Sequence, residues 1–121
     1  MKPIHIEIND RRKVFTVREV FSSEFPNLKL EFYGKPHTED GPHSRRLVRN
    51  SGTSIGDCRT VDRNGILVIQ PGMTVADLKN HLRDTFGLEA EVYRLTGTSW
   101  EKPELEELSL EELSRPITPP L

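Results

Sequence analysis

At 121 residues, of which 34% are hydrophobic and 30% charged, the chain suits one small domain around one core rather than two domains of usual size. No apolar run approaches the roughly 20 residues of a membrane helix, and a formal charge of −2 lacks the basic excess of a general nucleic-acid binder. The charge is uneven, with 11 Lys and Arg against 8 Asp and Glu up to Thr60 and 6 against 11 after it, a surplus of +3 followed by one of −5.

From the N-terminus, residues 1–8 alternate apolar and polar side chains, unlike a leader's basic end and apolar block, so Ile4–Ile8 reads as a strand and a cytoplasmic location is expected. The single cysteine, Cys58, allows no internal disulfide, which suits a reducing compartment. Val14, Val17, Phe21 and Phe25 then share one face of a 3.6-residue helix. Asp10 is placed to cap that helix and Pro26 to stop it. Residues 28–33 alternate as a half-buried strand, and residues 34–60 form a polar stretch without helical or strand rhythm. The run Gly65-Ile-Leu-Val-Ile-Gln70 is apolar on both faces, which predicts a central strand over 66–69.

A second helix follows with the spacing of the first. Val75, Leu78, Leu82 and Phe86 repeat it, Thr74 stands at the N-cap position and Gly87 at the stop. Lys79 falls away from the apolar face and is expected in solvent. Residues 88–93 alternate again, and Thr96-Gly97-Thr98-Ser99 reads as a turn leading to Trp100, the only tryptophan. From Pro103 onward the chain holds five Glu and four Pro. Ser109 and Glu112 fit a capping box for one short helical turn, and 103–121 is expected as a loosely attached, partly disordered acidic arm.

Strand, helix and strand therefore occur twice. Right-handed crossovers would place both helices on one face of a sheet, which predicts an α+β two-layer sandwich over residues 1–102. Its topology would be ferredoxin-like β-α-β-β-α-β, with 34–60 a long insertion between the second and third strands.

Two resemblances bear on this. Thr74, Val75, Leu78, Lys79, Leu82, Asp84, Gly87, Leu88, Arg94 and Leu95 fall at the spacing of the helix and following strand of ubiquitin-like β-grasp proteins. Asp62-Arg-Asn-Gly-Ile-Leu-Val-Ile-Gln-Pro71 resembles the second arm of their opening hairpin, and Leu108-Ser-Leu-Glu-Glu-Leu113 their late short turn. The likeness of 60–113 implies the alternative of a β-grasp core with an added N-terminal strand and helix. It implies shape only, because the final Ile117-Thr-Pro-Pro-Leu121 carries no diglycine for conjugation. Glu31-Phe32 with Lys35-Pro36-His37, then Gly56 with Cys58-Arg59-Thr60, then Met73-Thr-Val-Ala76 with Leu78, resemble in this order a small family of uncharacterised bacterial proteins, which implies no activity.

Several groups of residues are candidates for chemistry. His37, His43 and Cys58, with His5, Glu39, Asp40 and Asp57 in reserve, are metal-ligand types, but their spacing fits no finger or ribbon. Cys58 beside Arg59 offers a thiol that the arginine would activate, with His37 or His43 as base. Arg45, Arg46 and Arg49, with Lys35 and Arg59 nearby, give the polar stretch a basic character, and guanidinium forks match phosphate and carboxylate oxygens. Tyr33 and Tyr93 occupy equivalent strand positions, a thin basis for stacking RNA bases, and nucleic acid is not expected as a partner. Trp100 would either pack over a sheet edge or anchor a partner.

The expectation is a non-enzymatic binding or adaptor protein for a protein partner or an acidic or phosphorylated ligand. Arg45, Arg46 and Arg49 would pair the anion, with Tyr33 and Trp100 as apolar anchors; no cofactor, metal or membrane is expected. The alternative is a small thiol-dependent enzyme or metal-binding protein centred on Cys58 and His37 or His43.

Overall fold

A computed structural model of the chain describes residues 1–35, 45–103 and 106–115. It is a small α+β fold with strands β1 (Ile4–Ile8), β2 (Leu28–Phe32), β3 (Gly65–Ile69), β4 (Ala90–Thr96) and β5 (Ser99–Glu101). Helices α1 (Val14–Glu24), α2 (Val75–Phe86) and α3 (Leu110–Ser114) complete it, with a 3-10 turn over Ile55–Cys58. The strands form two antiparallel sheets, β1–β3 and β2–β4–β5. Helix α1 packs against β2 and β1, and α2 against β4, consistent with a two-layer arrangement. A single four-stranded ferredoxin-like sheet is not confirmed by this pairing.

Both long helices bury the predicted stripe: Val14, Val17, Phe21 and Phe25 from the first, Val75, Leu78, Leu82 and Phe86 from the second. Thr74 caps α2 as expected, accepting from the Asp77 amide while the Asp77 carboxylate accepts from the Thr74 amide. Gly87 ends α2 at a φ of 67°, where a Cβ would also run into the Val61 side chain. The cap proposed for α1 is corrected. Lys13 holds the N-cap position without a side-chain capping bond, and the Asp10 carboxylate instead accepts from Arg59. Strand β3 is corrected as well. Among the described residues only β1 lies beside it, and Ile66 is 57% exposed. An apolar run signals burial on both faces only when something covers both, and sequence does not report the cover.

The repeat reaches further than strand, helix and strand. In the first unit the Val14 amide donates to Thr53 O, Ile55 to Arg12 O and Gly56 to Asp10 O. In the second, Val75 donates to Leu108 O, Leu110 to Met73 O and Glu111 to Pro71 O, the same three bonds from matching positions. Lys13 bridges Ser54, and Thr74 bridges Ser109. Ser54 and Ser109 each cap the short helical piece that follows, with Asp57 and Glu112 at the third position. Ile55 and Cys58 are buried in one unit, Leu110 and Leu113 in the other. The stretch 34–60 is thus not merely an insertion, because its second half completes the first unit. Likewise residues 106–115 of the acidic tail dock on the core through Leu110 and Leu113, so this part is not a loose arm.

Strand register relates the units by an approximate two-fold. The β1–β3 ladder centres on Ile6 opposite Leu67, which are equivalent residues, and Ile4↔Ile69 mirrors Ile8↔Gly65. In the β2–β4 ladder the equivalent residues Glu31 and Glu91 stand opposite one another, with Leu30↔Val92 mirroring Phe32↔Ala90. Such self-complementary pairing is the isologous pattern of a two-fold dimer, realised here within one chain.

Candidate functional site: a basic groove beside an open sheet face

After β2 the chain returns along the same strand. The Gly34 amide donates to Arg46 O at 2.8 Å, Val48 donates to Phe32 O at 2.8 Å, and Tyr33 bridges Leu47. The side chains of this return strand split. Arg46 and Arg49 are exposed and line, with Lys35, an open groove of about 460 Å³ floored by Leu47, Val48 and Thr53. Asp57 is the one acidic residue among the described residues of its lining. Its carboxylate accepts from the Ser54 amide at 3.0 Å, and that bond, the Ser54 hydroxyl and the charges of Lys13 and Lys35 hold it below the usual carboxylate range. Among the described lining residues three cations face one carboxylate.

Arg45 is not part of this set. Its Nε donates to Gly34 O at 3.0 Å and its guanidinium stands 3.9 Å from the Glu89 carboxylate, so it braces the return strand. Arg59, expected to add to the loop's basic character, is also removed from it. Its side chain is fully buried and makes bonds to Asp10 Oδ1 at 2.9 and 3.1 Å, Asn64 Oδ1 at 2.8 Å, Arg63 O at 2.7 Å and Phe86 O at 3.0 Å. The guanidinium therefore ties the turn before α1 to the end of α2, where a positive charge also meets the negative end of the helix dipole. Sequence adjacency to Cys58 hid this, since it says nothing of direction.

Beside the groove lies the outer face of the β2–β4–β5 sheet. Alternation and register put Lys29 and Glu31 of β2, and Tyr33 just after it, on this face with Glu91, Tyr93 and Leu95 of β4 and Trp100 of β5. Trp100 is 39% exposed, and the Lys29 ammonium lies 5.0 Å from its ring centroid and 5.6 Å from that of Tyr93. Burial first, then the neighbouring Tyr33, pushes the Tyr93 phenol up. Tyr33 and Trp100 thus share a face, with Tyr93 and Lys29 between them in register. Trp100 also borders a separate groove of about 310 Å³ with Phe15, Arg18 and Pro26.

At the centre of this face the two glutamates stand directly opposite one another and both are buried. Each is neutralised from its own unit: Arg18 of α1 reaches Glu31 at 2.8 Å, and Lys79 of α2 reaches Glu91 at 3.3 Å. Lys29 and Lys102 add longer pairs of 3.6 and 3.7 Å. Like charges directly opposite in a ladder destabilise it unless countered, and these four cations are the counter. Lys79, expected in solvent, also donates to Glu106 at 2.7 Å.

Cys58 is fully buried, with Sγ 3.6 Å from Ser54 O, and burial followed by the Asp57 charge pushes its thiol up. That environment opposes thiolate formation. His37, His43, Glu39 and Asp40 lie outside the described residues; His5 is exposed on β1. Among the described residues no three of His, Cys, Asp and Glu are grouped to hold a metal ion, and no helix is long and apolar enough to cross a membrane. No family model, curated protein or solved structure matches the chain.

Proposed function

We propose that the protein is a non-enzymatic binding or adaptor protein that recognises an acidic or phosphorylated ligand, carried as a free group or on a protein partner. The observation that carries this reading is the convergence of Lys35, Arg46 and Arg49 on one open groove. Guanidinium groups engage phosphate and carboxylate oxygens in pairs, and Tyr33, at the edge of the groove's return strand, would extend the contact towards Trp100 for a partner with apolar side chains. The burial of Cys58 weighs against the thiol-dependent alternative. Substituting Arg46 and Arg49 with Ser should abolish salt-sensitive retention on a phosphate resin and leave the unfolding midpoint nearly unchanged, both side chains being exposed. Retention equal to that of the parent protein would end this reading.

For the scaffold we infer a β-grasp-like element used twice in preference to a ferredoxin-like sheet. The support is that each unit runs strand, helix, strand and capped short turn, the order in which 60–113 resembles β-grasp proteins. Amide-to-amide contacts measured by NMR that set β2 beside β3 in one continuous sheet would reverse that preference.

A further inference from the structure

The second unit has a groove where the first has its basic one. It lies between the end of β4, β5, Lys102-Pro103 and α3, encloses about 310 Å³, and is lined by Arg94, Glu101, Lys102, Leu108 and Leu113 among others. Matching hydrogen bonds make the two grooves equivalent: Arg94 stands where the first unit has Gly34, Glu101 where it has Arg46, and Leu108 where it has Thr53. The backbone frame is shared and the lining is different.

Arg94 continues the core-facing row of β4 beyond Val92, with Leu28 on one side and Glu101 on the other. Its Nε is buried and has no hydrogen-bond partner among the described residues. Although Glu101 is its cross-strand neighbour, no described carboxylate stands within ion-pair distance of its guanidinium. The Oγ of Ser114, next to Leu113 in α3, is likewise buried without a partner. Buried donors left unmatched are costly and call for an explanation. The lining also selects among anions. Among the described residues Lys102 is shared with Glu91 and Glu101 stands on the rim, so little net charge is left over for a dianion. Leu108 and Leu113 supply an apolar floor.

We propose that this groove is a second ligand site, distinct from the basic groove, that takes an organic monocarboxylate with a short apolar body. The carboxylate lies on Arg94 and the body on Leu108 and Leu113. Such a group is found at the end of a peptide chain and in a small free acid, and the two sources share this chemistry.

The test is an amide-resolved titration of the full chain with N-acetyl-leucine, hexanoate and N-acetyl-leucinamide. Saturable shifts are expected at Arg94, Lys102, Leu108 and Leu113 with the two acids and not with the amide; N-acetyl-leucine binding tighter than hexanoate would assign the peptide terminus, and the reverse the free acid. Arg94→Gln should weaken the preferred acid about tenfold, the usual effect of losing one charge-assisted hydrogen bond. Lys102→Gln, which leaves Lys79 as the counter to Glu91, should weaken it severalfold. Arg46→Ser with Arg49→Ser should leave it within about twofold, which separates this site from the basic groove. Unchanged affinity in both the Arg94 and Lys102 variants, shifts confined to the basic groove, or equal binding of acid and amide would overturn the proposal.

Discussion

Arg46 and Glu101 hold matching places in the two units, each on the strand that returns beside the unit's second long strand, and they carry opposite charges. A few residues away, the bonds from Val14 to Thr53 and from Val75 to Leu108 are the same bond made twice. The contrast separates two kinds of position. Where a side chain is buried or a backbone amide must find a partner, both units adopt the same solution, because an unmatched group in the interior is expensive. At the rim, where water satisfies either charge, the units diverge, and their grooves have become a basic one and a mixed one.

Ways to test that division run from large effects to small. Phe21 and Leu82 occupy the same place on the two helices and both are fully buried. Phe21→Ala should cost about 3–5 kcal/mol and Leu82→Ala about 2–5 kcal/mol in chemical denaturation. A difference far beyond that, with one variant near neutral, would mean that the units do not share one core.

The second unit places Ser114 where the first has Arg59, with no guanidinium there, and removing Arg59 sharpens the comparison from the other side. Arg59→Ala would leave Phe86 O and Arg63 O without their buried donor, and a loss of roughly 3 kcal/mol is expected. Arg59→Lys should recover little of it, since one ammonium cannot span the acceptors that the planar fork reaches. Full recovery by lysine, measured as an unfolding midpoint, would show that charge alone matters there.

The paired ion contacts come next. Arg18→Ala and Lys79→Ala should each cost about 1 kcal/mol, because each strips its nearest cation from one of two opposed buried glutamates and leaves only a longer pair. The double variant should lose more than the sum, as the glutamates then repel one another across the ladder. Simple additivity would argue that Glu31 and Glu91 do not feel each other.

The smallest effect concerns Cys58 against its counterpart Leu113. Both are buried, so alkylation of the native thiol should be slow and limited by opening of the fold. Its thiol is raised above the ordinary value by burial. The stabilising contribution is therefore complete below the ordinary thiol range and is lost as pH rises through it, because the unfolded chain then releases the proton first. Cys58→Leu should remove that alkaline loss. An unfolding midpoint that falls equally with pH in both proteins would place the loss elsewhere.

Periodicity by itself determined both long helices, the stop at Gly87, the cap at Thr74, the first strand and the α+β class, since each follows from contacts between residues close in the chain. It also carried the hint of duplication in the matched offsets of the helix faces. The rest depended on partners distant in sequence. No local pattern distinguishes a strand with two neighbours from one with a single neighbour, and so β3 read as central. Asp10 looked like a cap because it precedes a helix, whereas its carboxylate was claimed by Arg59, far along the chain. Three arginines in a row of five residues suggested one cluster, yet Arg45 turns to Glu89 while Arg46 and Arg49 share a groove. Ser54 with Asp57 carries the same capping signal as Ser109 with Glu112 and would have exposed the full repeat. The groove around Arg94 had no signal at all, because an isolated arginine gains meaning only from what the fold brings opposite it.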